Sequence, residues 1–273
     1  YIRDWDKGIK YLADAGFLED VVLLLTGSDL HIIREARVRF PGRRGVAEVV
    51  DFHLYPLSFQ EAVSLKRHLT GDERSLLMTE DIEPDSPLLD MLYEEFSLYL
   101  MHGGFLTAIN DMERHGRVMA SSLAVYSDWI RGDVIKRGKQ EHYLREILGS
   151  IIKRYGSQVT WNALASDLSI DHPKTVADYI ELLASMDAVF IQAALLEDKL
   201  TAAPKKARKL MFSDPFIFHA INAWINPGQP PSSNAGQNTV ANPDLAGRLV
   251  ESCVATHYRR YFPTYYIKGA GEV

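Results

Sequence analysis

The residues best suited to chemistry stand at the end of an apolar run. Val21-Val22-Leu23-Leu24-Leu25 leads without a polar break into Thr26, Gly27 and Ser28. A strand buried on both faces of a parallel sheet ends in this way, and nucleotide sites gather at that carboxyl edge. The plainer alternative is a turn after a buried strand. Arg43 and Arg44 follow Pro41-Gly42. A turn stiffened by proline can carry a guanidinium to the nucleotide of a neighbouring subunit, where it stabilises transition-state charge; the alternative is two solvated arginines. A third group is cationic: Lys199, Lys205, Lys206, Arg208 and Lys209 occur between residues 199 and 213 with no acidic residue among them. Such a run can lie along a phosphate backbone or be a solvated hairpin. The 9 histidines and the single Cys253 are scattered, with no His-Glu-x-x-His, no paired cysteine and no acidic metal loop, and no Gly-x-Ser-x-Gly elbow occurs. Neither a metal site nor a serine nucleophile is expected.

Periodicity supplies the elements that must position these residues. Trp5, Ile9 and Leu12 predict an amphipathic helix ended by Gly16, ahead of the strand at Val21. Val50, Phe52 and Leu54 alternate with Val49, Asp51 and His53, which predicts a second strand. Phe59, Ala62, Val63 and Leu65 mark a helix, Thr70 to Pro87 reads as a polar loop, and Pro87 opens a helix that stops at Gly103-Gly104. Residues 119 to 138 read as a mixed helical segment. Leu144, Ile147, Leu148, Ile151, Ile152 and Tyr155 recur at core-facing helical spacing, with Gly156 as the stop. Trp161 to Leu168 predicts a second short helix, and Val176 to Leu183 a third, begun by Asp171 and Pro173.

Ala188 to Leu196 and Ala207 to Phe212 then read as the two strands of a hairpin. Three helices followed by a hairpin predict a winged helix, with the basic run on its wing. The third helix offers Lys174 against Asp178 and Glu181, a poor set for reading a DNA groove. Asn226 to Pro243 is a linker with little to bury. Asp244 caps a last helix, and Tyr265 to Ile267 is a final strand. Leu249, Val250, Cys253, Val254, His257, Tyr258 and Tyr261 form a largely apolar stripe that needs covering, by the body of the chain or by a second copy. The open strand edge favours the second copy, and hence a homo-oligomer.

Several short motifs in order carry a resemblance. Asp4-Trp5, Val21 to Ser28, Phe40-Pro41-Gly42-Arg43 and Leu54-Tyr55-Pro56-Leu57-Ser58-Phe59-Gln60-Glu61 are followed by Tyr99, Leu100, Gly103, Gly104 and Phe105, by Arg131 to Arg137, and by Lys209, Phe212 and Asp214. The chain resembles the prokaryotic AAA-plus-type ATPases that carry a winged-helix-containing domain of unknown function after the ATPase core, and often a nuclease-like tail. The resemblance implies catalytic roles for Thr26 and Ser28, which would orient the attacking water, and for Arg43, with Arg44 as a lesser, cofactor-binding arginine. It matches Lys209 and Asp214 to a family signature that a structural ion pair would also satisfy. It also reads Glu251 as the helix glutamate that opens the nuclease-like tail, with Glu272-Val273 after it.

On this reading the fold is mixed α/β and mainly α. Residues 1–58 are the end of a parallel-sheet ATPase core, 59–138 a helical lid, 139–225 the winged helix with DNA-binding cations, 226–243 a linker and 244–273 the start of the tail. The family's phosphate-binding loop and acidic metal-binding strand would lie upstream of Tyr1. ATP and Mg therefore belong to the parent protein, and neither is expected on this chain alone. The alternative is a non-enzymatic winged-helix protein that binds DNA or another protein, with the α/β segment as scaffold.

Composition bounds these readings. The 273 residues are 47% hydrophobic and 24% charged, ordinary for globular protein, and the formal charge of -6 argues against a surface basic all over. The longest apolar runs, about five residues, fall far short of the roughly 20 that a membrane helix needs. A lone cysteine suits a reducing cytoplasm. A start at Tyr1 without Met or a signal-like segment reads as a piece of a longer protein.

Overall fold

The computed structural model describes residues 4–26, 40–43, 50–67, 69–77, 83, 86–227 and 242–267. Ser28, Arg44 and most of the expected linker lie outside the described residues. The chain is mixed α/β and mainly helical, and falls into two compact units: residues 1–54 with 185–187, and residues 55–184 with 188–273.

In the first unit, α1 (Trp5–Asp14) forms where the Trp5, Ile9, Leu12 spacing predicts it. The Trp5 ring lies 6.2 Å from the ring of Phe40, which is buried. The buried strand expected at Val21–Leu25 is absent. Residues 21–26 have no regular structure, and Val22 and Leu24 are 98% and 74% exposed. Residues 50–54, the other expected strand, are likewise irregular. An apolar run becomes a strand only when neighbouring strands take its backbone hydrogen bonds. No strand occurs among the described residues of this unit.

The second unit opens with α2 (Phe59–Lys66), capped reciprocally: Ser58 Oγ accepts from Glu61 N (3.2 Å) and Glu61 Oε2 accepts from Ser58 N (2.6 Å). The Ser-Phe-Gln-Glu motif is therefore a capping box. Thr70 and Glu73 build another at the start of α3 (Gly71–Leu76), inside the stretch expected to be loop. Ser86 and Pro87 start α4 (Pro87–His102), which ends at Gly103 (φ 59°). Then come α5 (Leu106–His115), α6 (Ala120–Lys136) and α7 (Glu141–Lys153), the last burying Leu144, Ile147, Leu148 and Ile151 as its spacing predicts.

A small sheet follows in pieces: β1 (Gln158–Val159), then α8 (Trp161–Ala165) and α9 (Pro173–Ser185), then β2 (Val189–Leu196), β3 (Thr201–Ala202) and β4 (Arg208–Phe212). β4 lies between β1 and β2, antiparallel to both, with Phe190 opposite Met211 and Gln158 opposite Lys209. The core centres on α10 (Pro215–Ile225), whose Phe216, Ile217, Phe218, Ala220 and Ile221 are all buried and which packs mainly on α6, α4 and α7. A helix apolar on every side belongs in the middle.

The tail is covered by its own unit. On α11 (Pro243–Tyr258) Leu249, Ser252, Cys253 and Thr256 are buried, an i, i+3, i+4, i+7 face turned inward. Ser252 Oγ bonds Tyr155 OH (2.8 Å) and donates to Phe212 O (3.2 Å). β5 (Tyr265–Tyr266) pairs parallel with β2, opposite Ala193 and Ala194, and Tyr266 OH donates to Ala207 O (2.6 Å). Part of the stripe, Leu249 and Cys253, and the strand expected to call for a second copy thus find partners within the chain. Val254 and Tyr258 lie on the other face of α11 and, like Tyr261 beyond its end, stay exposed.

Candidate nucleic-acid interface

The hairpin is built from residues with good reason to be there. Val189, Phe190, Leu210, Met211 and Phe212 are buried and hold β2 and β4 in register, while β3 prolongs the far end of β2 through Leu195↔Ala202 and Leu196↔Thr201. Beyond that core the chain turns twice, at residues 197–200 between β2 and β3 and at 204–206 between β3 and β4; Lys199 on the first turn and Lys205 and Lys206 on the second stand exposed with no ion pair among the described residues. Glu197 and Asp198 share the first turn with Lys199, so the cationic surplus lies on the second. A run that begins at Lys199 leaves those two acids out of account.

Two of the five expected cations serve the base of the hairpin instead. The Arg208 guanidinium lies 4.1 Å from the centroid of the Trp161 ring and donates to Lys206 O (2.8 Å). Burial pulls its pKa down, against the opposing influence of Tyr266 and Glu181. Lys209 Nζ sits 2.5 Å from Glu251 Oε1 and 5.7 Å from the centroid of the Tyr266 ring. Glu251 is therefore engaged with Lys209, and Lys209 does not pair with Asp214. Trp161 and Tyr266 support the hairpin without having stood out in the sequence; only their aromaticity beside the basic run could have drawn notice.

The other motif residues converge on a buried knot. Leu57 N donates to Gly104 O (2.8 Å), Tyr99 OH donates to Leu57 O (2.7 Å), and Gly104 N donates to Asp214 Oδ2 (2.8 Å). Asp214 Oδ1 caps α10 by accepting from Phe216 N (2.8 Å). With its proton committed to Leu57, the Tyr99 oxygen accepts from His257 Nε2 (3.0 Å), which fixes the Nε2–H tautomer. A Cβ on Gly104 would meet Leu57 O at 1.9 Å, and one on Gly103 would fall inside the Asp214 carboxylate. Only glycine allows this approach. The three motifs around Leu57, Gly103-Gly104 and Asp214 thus close a core. Cys253 beside them is buried, and burial pushes its thiol well above the ordinary range.

In the first unit Thr26 is exposed, and Arg43 is engaged: its Nε and Nη2 donate to the Asp14 carboxylate (2.6 and 3.0 Å) and Nη1 to Pro41 O (3.1 Å). The hydrogen bonds from Arg43 hold the Asp14 carboxyl below its usual range. Arg43 ties α1 to the 40–43 turn. The exposed positions of α9 include Lys174, Asp178 and Glu181, as the sequence suggests. Among the described residues no group of three or more His, Cys, Asp or Glu could hold a metal ion, and no helix is long and apolar enough to cross a membrane.

Residues 93–227, from within α4 to just past α10, match a family model described as a domain of unknown function (DUF8612). The matched stretch contains the hairpin, α10 and all of the motif residues from Tyr99 to Asp214. No curated protein and no solved structure matches the chain.

Proposed function

We propose that residues 139–225 act as a winged-helix module that contacts the phosphate backbone of nucleic acid through the turns of its hairpin. We further propose that, in a parent protein of the AAA-plus type, ATP binding and hydrolysis with Mg move this module on its target. The observation that carries the first part is the trio Lys199, Lys205 and Lys206, exposed on the two turns of a hairpin whose base is locked by buried strands and by the Arg208–Trp161 stack. The order helix, strand, helix, helix and then β2, the two-residue β3 and β4, with β4 between β1 and β2, supports the winged-helix reading. The second part rests on the resemblance in sequence. Asp178 and Glu181 on α9 make the contact indifferent to sequence, because carboxylates repel phosphate and leave the backbone as the accessible partner.

The test is binding of a fluorescent 20-base-pair duplex at low salt by three proteins: wild type, the triple Lys→Ala variant at 199, 205 and 206, and the matching triple Lys→Arg variant. Wild type and the arginine variant bind alike; the alanine variant binds at least about tenfold more weakly, as loss of three phosphate contacts requires. Equal affinity in all three removes the turns as the contact. It would favour a second reading suggested by the acidic face of α9, in which the module docks on a basic protein.

A further inference from the structure

Lys205 and Lys206 stand on the turn at residues 204–206, where every side chain is exposed. Lys206 N donates to Ala203 O (3.2 Å) and closes the turn, while Pro204 has no N–H to give. What fixes its shape lies to either side. On the way in, Ala203 is buried and its N–H donates to Ala194 O on β2 (2.8 Å). On the way out, Ala207 O accepts from Tyr266 OH (2.6 Å). Ala194, Ala203 and Tyr266 form a small buried cluster with Leu196 packed against it. Each alanine brings a single methyl group, so the Tyr266 ring supplies most of that cluster's bulk.

Arg208 holds the turn from within the hairpin, its Nη2 donating to Lys206 O (2.8 Å) and Pro204 O (3.4 Å). Tyr266 holds it from outside. It belongs to β5, a strand of 2 residues laid parallel on β2, and it lies beyond the 93–227 stretch that the family model matches. The chain reaches β5 from α11, where Ser252 bonds Tyr155 and Phe212, by way of Arg260, whose guanidinium donates to Pro56 O (2.7 Å). A pairing this short has few interactions to lose, so β5 can part from β2 while the core around α10 stays closed.

We propose that Tyr266 is a positioning residue for nucleic-acid binding: the turn carrying Lys205 and Lys206 keeps its binding shape only while β5 lies on β2, and docking of the tail thereby governs how tightly the hairpin binds. The inference rests on the reading of those lysines as phosphate contacts. A turn already ordered loses little freedom on binding, whereas a loosened one must be ordered by the nucleic acid itself. Its charges remain. Lifting the tail therefore lowers affinity without changing the number of phosphates neutralised, and the salt dependence keeps its slope.

The experiment uses the full chain with Tyr266→Phe, which keeps the ring and loses the hydroxyl, and Tyr266→Ala, which loses both. Trypsin cleaves after lysine and reads the turn without nucleic acid. The alanine variant is nicked after Lys205 or Lys206 about tenfold faster than wild type and binds a 20-base-pair duplex about tenfold more weakly, its slope of log affinity against log salt unchanged. The phenylalanine variant lies between on both measures, and it alone decides the matter where the alanine variant does not show a cooperative thermal transition. A slope smaller by about 0.9 or more overturns the inference, because a phosphate contact has then been lost. Faster nicking along the whole chain also overturns it, since the loosening is then general. So does unchanged nicking at the turn. Faster nicking with unchanged duplex affinity overturns the positioning role as well; if the triple Lys→Ala variant then binds as wild type does, the fault lies in the reading of the lysines and not in the tail's hold on the turn.

Discussion

Asp214 is almost fully enclosed, and the partners of its carboxylate are the backbone N–H groups of Gly104 and Phe216. Burial pushes its pKa up to about 7, more than those two hydrogen bonds pull it down. Burial moves His102 and His257 the other way, each down to about 4, and lowers His219 as well. The signs oppose. Between pH 4 and 6.5 the unfolded chain binds protons on His102 and His257 that the folded chain does not, and His219 acts in the same direction, so those groups make stability rise with pH. Over nearly the same window the folded chain keeps a proton on Asp214 that the unfolded chain releases, which makes stability fall as pH rises. Two outweigh one, so stability climbs toward pH 6.5, and near pH 7 only Asp214 acts. Asp214→Asn should steepen the climb, shown by urea midpoints against pH; an unchanged slope would mean that Asp214 is ionised throughout. Gly104→Ala should cost about 1–3 kcal/mol or more, since its Cβ would collide with backbone that has nowhere to move. A midpoint within error of wild type would show that Leu57 can shift.

At the scale of elements, the hairpin stands on Arg208. Arg208→Lys keeps the charge but loses the stack on Trp161 and the carbonyl contact to Lys206, so stability should drop by about 1–2 kcal/mol while the salt dependence of nucleic-acid binding stays as it was. A smaller salt slope would instead make Arg208 a phosphate contact. The same elements show what could be read in advance. β2 and β4 are legible as hairpin strands because each holds a short apolar run of strand length, and Leu144 to Ile151 marks α7 because one face meets the core. α10 escaped notice because a helix buried all round has no periodic contrast, although Asp214-Pro215 is a ready cap and first turn. The capping box at Thr70 and Glu73 was equally visible and lay inside an apparent loop. Val21–Leu25 misled because strand formation depends on partners that a local window cannot show. Lys209 and Asp214, matched to one signature that an ion pair would also satisfy, do not pair with each other: their partners include Glu251 and Gly104, from distant parts of the chain.

For the whole molecule, a formal charge of -6 leaves room only for a local contact, which the exposed Lys205 and Lys206 between β3 and β4, with Lys199 on the neighbouring turn, supply. The 273 residues contain no phosphate-binding Gly-rich loop followed by Lys and Ser or Thr. This chain should therefore release no phosphate from ATP above buffer; turnover that vanished in Arg43→Ala would contradict the account of Arg43 as a tie to Asp14. The central claim is that Lys199, Lys205 and Lys206 touch phosphates. The most direct measurement is the slope of log affinity against log salt for a duplex, wild type beside the triple Lys→Ala variant. Three contacts predict a slope smaller by about 2.7 in the variant. Two parallel lines would show that the lysines lie off the nucleic acid and would contradict the account.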